Sequence, residues 1–234
     1  MYVALLADIH ANLPAFEAVL TDMAKYSPKA VVIAGDLLGY YCDANDVMQK
    51  VRTLELPLYA TCGNHDLPII EGNIPNDALY GQILLSSLNH LSKNNLSFLK
   101  TLKTEITFEI HGLRFCVYHG TPDDPLNGRL YPDTEPNPNW FSNKIDFIIL
   151  GHTHYPLIRR NQNSTIIVNP GSVGQPRDGN PAPSWALLNT QTMKVSFKRV
   201  DYDRLEYSQK LYNLNWDERA IRALFKNKKG PLNE

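Results

Sequence analysis

Cysteine is scarce in this sequence: its 234 residues hold three, Cys42, Cys62 and Cys116, an odd number at wide spacings. That excludes a disulfide framework and a CxxC metal knuckle, and it makes a reducing, cytoplasmic setting the expected one. Neither sign of charge is in excess. With 23 Lys+Arg against 24 Asp+Glu the formal charge is -1, which excludes an extended nucleic-acid surface or a large field for anionic lipid. An anionic substrate must therefore be held locally. No apolar run approaches the ~18 residues of a membrane span. Met1 leads straight into Tyr2-Val3-Ala4-Leu5-Leu6 without the basic region of a secretory leader, so no membrane partner is expected. Repeats and flexible linkers are missing too, and residues 1–234 read as one domain.

What is present is an alternation of short apolar runs and helix-like segments, the pattern of an α/β fold whose parallel strands are covered on both faces. Val3 to Ala7 reads as a strand. The helix after it starts at Leu13, with Asn12 as N-cap and Pro14 in its first turn. Ala30 to Ile33 and Leu58 to Ala60 read as further strands around a helix over Ala44 to Leu54. Tyr80 to Leu102 reads as helical with a break near Lys93 to Asn95. The rhythm then changes. Glu105 to Ile110 and Leu113 to Tyr118 flank His111-Gly112, a two-residue hairpin link. Phe147 to Leu150, Thr165 to Val168, Ala186 to Leu188 and Val195 to Val200 follow as strands, which implies two packed sheets with helices outside. The segment Thr121 to Asn139 holds five of the sixteen prolines and reads as an ordered loop of the kind that walls an active site. A helical tail is expected over 203–234, its last helix running from Asp217 to Lys229 and ending in the basic Lys226, Lys228 and Lys229. The C-terminal hairpins offer an edge for a homo-oligomer, which nothing in the sequence requires.

The chemistry lies at the strand ends. The first strand ends in Asp8-Ile9-His10, the second in Gly35-Asp36, the third in Gly63-Asn64-His65-Asp66, the hairpin in His119, and Phe147 to Leu150 in Gly151-His152-Thr153-His154. Loops beyond the carboxyl ends of strands in an α/β sheet converge on one crevice. Two aspartates, an asparagine and four histidines are more donors than one ion needs, and they suit two ions that share a carboxylate, for which Asp36 is the best candidate. Oxygen and imidazole nitrogen without thiolate favour Mn, Fe, Co, Ni or Zn and leave the choice to availability. Two such cations clamp the oxygens of an in-line displacement and make hydroxide available at neutral pH, which suits phosphoester hydrolysis.

These residues resemble the calcineurin-like metallophosphoesterases, whose ordered signature DxH, GD, GNH(D/E), H and GHxH is complete here between residues 8 and 154. Asn169-Pro170-Gly171-Ser172-Val173-Gly174-Gln175-Pro176-Arg177 is similar to the ending of the small bacterial and archaeal members and extends the likeness to about residue 200. The resemblance implies a four-layer αββα sandwich of two mixed sheets. It implies one metal held by Asp8, His10, Asp36 and His154 and a second held by Asp36, Asn64, His119 and His152. His65 takes the place of the catalytic histidine, which protonates the leaving oxygen or stabilises its charge. The activity implied is hydrolysis of small phosphodiesters or nucleotides by a metal-bridging hydroxide. A phosphomonoesterase, a diadenosine polyphosphate hydrolase and a non-catalytic metal-binding scaffold are the alternatives.

Departures narrow the likeness. The protein serine/threonine phosphatases of the superfamily carry an aspartate three residues after the bridging one, an arginine beside it and a further arginine before GNHE. This chain has Gly39, Tyr40 and Cys62 there, with Asp66 for the glutamate. A protein phosphatase is not expected, and the group that orients His65 is left open. Several residues have plain readings: Cys62 as a small buried thiol, Arg129 and Arg177 as salt-bridge partners, Tyr40 and Tyr41 as rim tyrosines, His90 and His111 as solvated or capping residues.

Overall fold

A computed structural model describes residues 1–76, 80–142, 144–160 and 165–225. Its first sheet comprises β1 (Tyr2–Leu6), β2 (Val31–Ala34), β3 (Leu58–Thr61), β9 (Ser184–Asn189) and β10 (Lys194–Arg199), in the order β10-β9-β1-β2-β3. The second comprises β4 (Glu105–Ile110), β5 (Leu113–Tyr118), β6 (Phe147–Ile149), β7 (Leu157–Arg160) and β8 (Ile166–Asn169), in the order β4-β5-β6-β8-β7. Both sheets are mixed. β1, β2 and β3 run parallel and β9 pairs antiparallel with β1; β5, β6 and β8 run parallel and β4 and β7 pair antiparallel at the edges.

The continuous apolar runs follow from burial on both faces. Along β1, Ala4 and Leu6 pack under the helices while Val3, Leu5 and Ala7 face the second sheet, meeting Phe115, Val117, Phe147 and Ile149. The helical layer over the first sheet is α1 (Leu13–Ala24), α2 (Ala44–Arg52), α3 (Leu67–Glu71), α4 (Tyr80–His90), α5 (Lys93–Leu99), α6 (Arg204–Asn213) and α7 (Glu218–Ala223). It buries Phe16, Val47, Met48, Leu84, Leu99, Leu211 and Ile221 in one cluster. Each such side chain contributes roughly 1.5–3 kcal/mol by leaving water. The outer face of the second sheet, Ile148, Leu150 and Ile167, is covered by Leu130 from the proline-rich segment and by Trp140 and Phe141 just after it, with a 3-10 turn over Pro138–Trp140 at its end. No helix among the described residues is long and apolar enough to cross a membrane.

The N-cap reading of Asn12 holds, its side chain accepting from the Ala15 amide. The hairpin holds to the residue, with His111 and Gly112 at φ 52° and 77°, the left-handed pair that a tight hairpin link needs. Other boundaries move. α2 ends at Arg52, and the break in the helical stretch falls earlier, because the Ser92 hydroxyl caps α5 by accepting from the Asn95 amide. Two elements are additions to the sequence reading. β7 is a half-exposed edge strand without alternation, and α3 is a single turn entered through Pro68 and stopped by Gly72 at φ 70°. The helical tail resolves into α6 and α7; Lys226, Lys228 and Lys229 lie outside the described residues.

Candidate metal centre

Five strand ends deliver their loops to one crevice. β1 leads to Asp8 and His10, β2 to Asp36, β3 to Asn64 and His65, β5 to His119, and β6 to His152 and His154. The loops are laced together by backbone bonds: the Asp8 amide donates to Gly35, the His10 amide to Asp36 and the Gly151 amide to His119. This packing forces unusual backbone. Asp8, His10, Ala11, Asp36, Tyr40, His152 and His154 all have φ between 51° and 66°, a left-handed conformation that costs a non-glycine residue about 1–2 kcal/mol. The strain is concentrated where side chains must aim inward. Gly63 meets a different demand, since a Cβ there would sit 2.1 Å from Asp36 Oδ1.

The side chains form two overlapping groups. In one, His154 Nε2 lies 3.3 Å from Asp8 Oδ1 and 3.0 Å from His10 Nε2, and His10 Nε2 lies 3.7 Å from Asp36 Oδ2. In the other, His119 Nε2 lies 3.2 Å from Asp36 Oδ2, 3.0 Å from Asn64 Oδ1 and 3.2 Å from His152 Nδ1. Asp36 Oδ2 belongs to both, while Asp36 Oδ1 accepts from the His65 amide at 2.9 Å. His65 Nε2 is 4.0 Å from Asp36 Oδ2, close enough to count among the donors that could hold an ion with His10 and Asp36.

The tautomers follow from what lies behind the rings. His10 Nδ1 faces the Leu38 carbonyl at 3.1 Å, His154 Nδ1 the Gln175 carbonyl at 2.6 Å and His119 Nδ1 the Ala34 carbonyl at 2.9 Å. Carbonyls only accept, so each Nδ1 carries the hydrogen, and a ring in its neutral form turns a bare Nε2 lone pair to the centre. The His10 and His154 lone pairs then confront each other across 3.0 Å. Only a cation between such acceptors, a metal ion or a proton, relieves that confrontation, so the donor set fits divalent ions.

Burial depresses the His10 pKa well below its ordinary value despite Asp36. Burial works against the Asp36 charge, yet His119, His65 and His10 hold its pKa well below the carboxylate range. Burial opposes a charged His119 as well, but the Asp36 carboxylate prevails and raises its pKa to about 9. Burial and then His119 bring His152 down to about 4. At His152 the Arg129 Nε–H donates to Nε2 at 3.2 Å, while Nδ1 faces His119.

His65 is 6% exposed, and burial lowers its pKa. Among the described residues no group orients its ring by hydrogen bonding: Nδ1 is buried without a partner. Gly39 presses against it instead, and a Cβ at that position would lie 2.4 Å from Nδ1. Asp66, adjacent in sequence, points elsewhere. Its carboxylate accepts from the amides of Gly63, Leu37 and Leu38 at 2.9, 3.1 and 2.9 Å and clamps the loops after β2 and β3 together. The Tyr40 and Tyr80 rings stand 4.7 and 5.0 Å from His65 by centroid, whereas Tyr41 is fully buried beneath.

Several functional contacts were out of reach of sequence reasoning. Residues 169–177 form the mould of the site. Asn169 donates to the Gly151 carbonyl and the Thr153 hydroxyl, Ser172 donates to the Asp8 carbonyl, and Gln175 receives His154. Their family-like string was the signal, without a physical role attached. Arg129 and Arg177 correct the salt-bridge expectation: neither has a carboxylate partner within 4.0 Å among the described residues, and Arg177 donates to Tyr40 Oη and Gln175 Oε1, both at 3.0 Å. Cys62 is 1% exposed, with burial and Asp66 pushing its thiol up to about 12. Iodoacetamide is expected to leave Cys62 unlabelled in native protein and to label it in urea; equal rates in both would contradict this burial.

Similarity to known proteins agrees with the geometry. The calcineurin-like phosphoesterase superfamily domain matches residues 1–193. The uncharacterized protein MJ0912 of Methanocaldococcus jannaschii is 30% identical over 218 residues, covering 86% of this chain and 88% of that protein. The phosphodiesterase YfcE of Escherichia coli is 27% identical over 200 residues, covering 81% and 88%. A metallophosphoesterase from Sphaerobacter thermophilus superposes with a TM-score of 0.82 at 26% identity, covering 97% of this chain and 99% of that one. Sequence motifs, converging strand ends and these likenesses agree, and the chain belongs to the calcineurin-like phosphoesterase superfamily.

Proposed function

We propose that the protein is a cytoplasmic metal-dependent phosphodiesterase that hydrolyses small phosphodiesters or nucleotides at a dinuclear centre. The observation that carries this reading is the pair of imidazole lone pairs, His10 Nε2 and His154 Nε2, turned on each other at 3.0 Å beside Asp8 and Asp36. Asp8, His10, Asp36 and His154 would hold one divalent ion and Asp36, Asn64, His119 and His152 the other, with Mn, Fe, Co, Ni and Zn all suited to the donors. Bound there, the ions supply Lewis-acid stabilisation of phosphoryl charge and hydroxide at neutral pH.

The chain's own residues do the rest. His65, on the wall of the crevice, gives a proton to the leaving oxygen or stabilises its charge by hydrogen bonding. Overall a bond forms from water oxygen to phosphorus, the bond from phosphorus to the leaving oxygen breaks, and the departing alcohol keeps one proton while the phosphate product sheds the other. Arg129, whose guanidinium reaches His152, offers its charge to the phosphoryl oxygens. No position of the metal-ligand signature is replaced in this chain, which favours an enzyme over a metal-binding scaffold.

Hydrolysis of bis(p-nitrophenyl) phosphate is expected with Mn²⁺ and is expected to vanish on chelation and return on adding the ion back. Activity that survives exhaustive chelation would refute the reading.

A further inference from the structure

A cavity of about 390 Å³ opens beside His65, lined by Tyr40, Tyr80, Ile83, Arg177, Ala220 and Ala223 among others. That volume falls near the lower end of the range for small-molecule sites, roughly 300–1,000 Å³, and suits one compact group rather than a peptide or a duplex. One wall is α7, which lies beyond residue 193, where the family match ends. It is a built wall. The Trp216 indole donates to the Tyr40 carbonyl at 2.7 Å and the Tyr41 hydroxyl to the Ala220 carbonyl at 3.3 Å, while Ala220, Ile221 and Leu224 are buried in the main core. α7 is thus fastened to the loop that carries Tyr40.

The lining has two chemistries. Tyrosine rings, the Ile83 side chain and two alanine methyls make an apolar slot that favours a planar ring. Its charge is positive: Arg177 has no carboxylate within ion-pair distance among the described residues, whereas Asp217 is engaged by the α7 amides of Arg219 and Ala220 and by Arg219 Nε.

The geometry points to a leaving-group pocket, walled by α7, that selects phosphodiesters whose departing half is a nucleoside 5′-monophosphate: the bond from the scissile phosphorus to a ribose oxygen breaks, that oxygen keeps a proton as the hydroxyl, and the nucleotide's own phosphate stays intact. The base lies between the tyrosine rings and the methyls of Ala220 and Ala223, and its phosphate lies on Arg177. This assignment rests on the phosphodiesterase reading for the direction in which the group departs, but its binding chemistry is separable from catalysis.

The test is calorimetric titration of metal-free protein with 5′-AMP, ribose 5-phosphate and adenosine. AMP should bind at least about tenfold more tightly than either fragment, since only it presents both the ring and the anion. Ala223→Phe should fill the slot and weaken AMP by about tenfold or more. Arg177→Gln should weaken AMP and leave adenosine unchanged, and Arg222→Ala, at an exposed site outside the lining, should change nothing. Equal binding of AMP and ribose 5-phosphate by the wild-type protein overturns the pocket without reliance on any variant, as does a folded Ala223→Phe protein that binds AMP normally. AMP selectivity in a protein that hydrolyses no diester would leave the pocket standing and sink the catalytic reading. Diester hydrolysis without AMP selectivity would do the reverse.

Discussion

Asp36→Asn is expected to empty both metal positions together and to lower kcat/KM by at least about 10³-fold, as removal of charge stabilisation from a phosphoryl-transfer site does. The substitution is well posed because the two carboxylate oxygens have separate duties. Asp36 Oδ1 accepts from the His65 amide at 2.9 Å, a bond that an asparagine oxygen preserves. Asp36 Oδ2 faces His119 at 3.2 Å and His10 at 3.7 Å, and only there does the charge disappear. Elemental analysis after reconstitution checks the outcome. Full occupancy of one site with loss of the other would count against a shared carboxylate.

His65→Ala is expected to act differently: kcat falls by about 10²–10⁴-fold while metal content stays at the wild-type value, the behaviour of a group that serves the leaving oxygen. Loss of metal in step with activity would make His65 a ligand, a role its 4.0 Å approach to Asp36 leaves open. Gly39→Ala should reach a similar loss by another route. Gly39 sits at φ 94°, and an added methyl would collide with His65 Nδ1, so the ring must leave its place. Metal content of this variant should again be unchanged. Wild-type turnover by Gly39→Ala would show that the ring position is not needed.

The contrast with the superfamily's protein phosphatases gains a physical basis here. Gly39 stands where their orienting aspartate is, and its backbone, which carries no Cβ, is packed against the imidazole. Among the described residues His65 is held by contact with Gly39 and by the Tyr40 and Tyr80 rings rather than by a hydrogen bond to its ring.

The donors of the centre were legible in the sequence because their side chains carry the chemistry themselves and each follows an apolar run that ends a strand. Asp8 and His154 follow strands of different sheets: the parallel-strand rule gathers the loops at one end of each sheet, and the packing of the two sheets brings the two sets of loops together. What escaped was everything decided by contacts between loops. Asp66 looks like a neighbour of His65 and is instead a clamp on Leu37 and Leu38. The left-handed backbone of Asp36 and His152 contradicts local preference and is held by the loops packed around it. Arg129 and Arg177 read as salt-bridge partners until the crevice is assembled around them. β7 and α3 were missed for a simpler reason: four and five residues are too few for a period to declare itself.

Anomalous diffraction from crystals soaked in Mn²⁺ tests the centre most directly. Two peaks about 3.5–4 Å apart are predicted, one among Asp8, His10 and His154 and one among Asn64, His119 and His152, with the Asp36 carboxylate between them. A single peak, or a pair that leaves Asp36 untouched, would contradict the account.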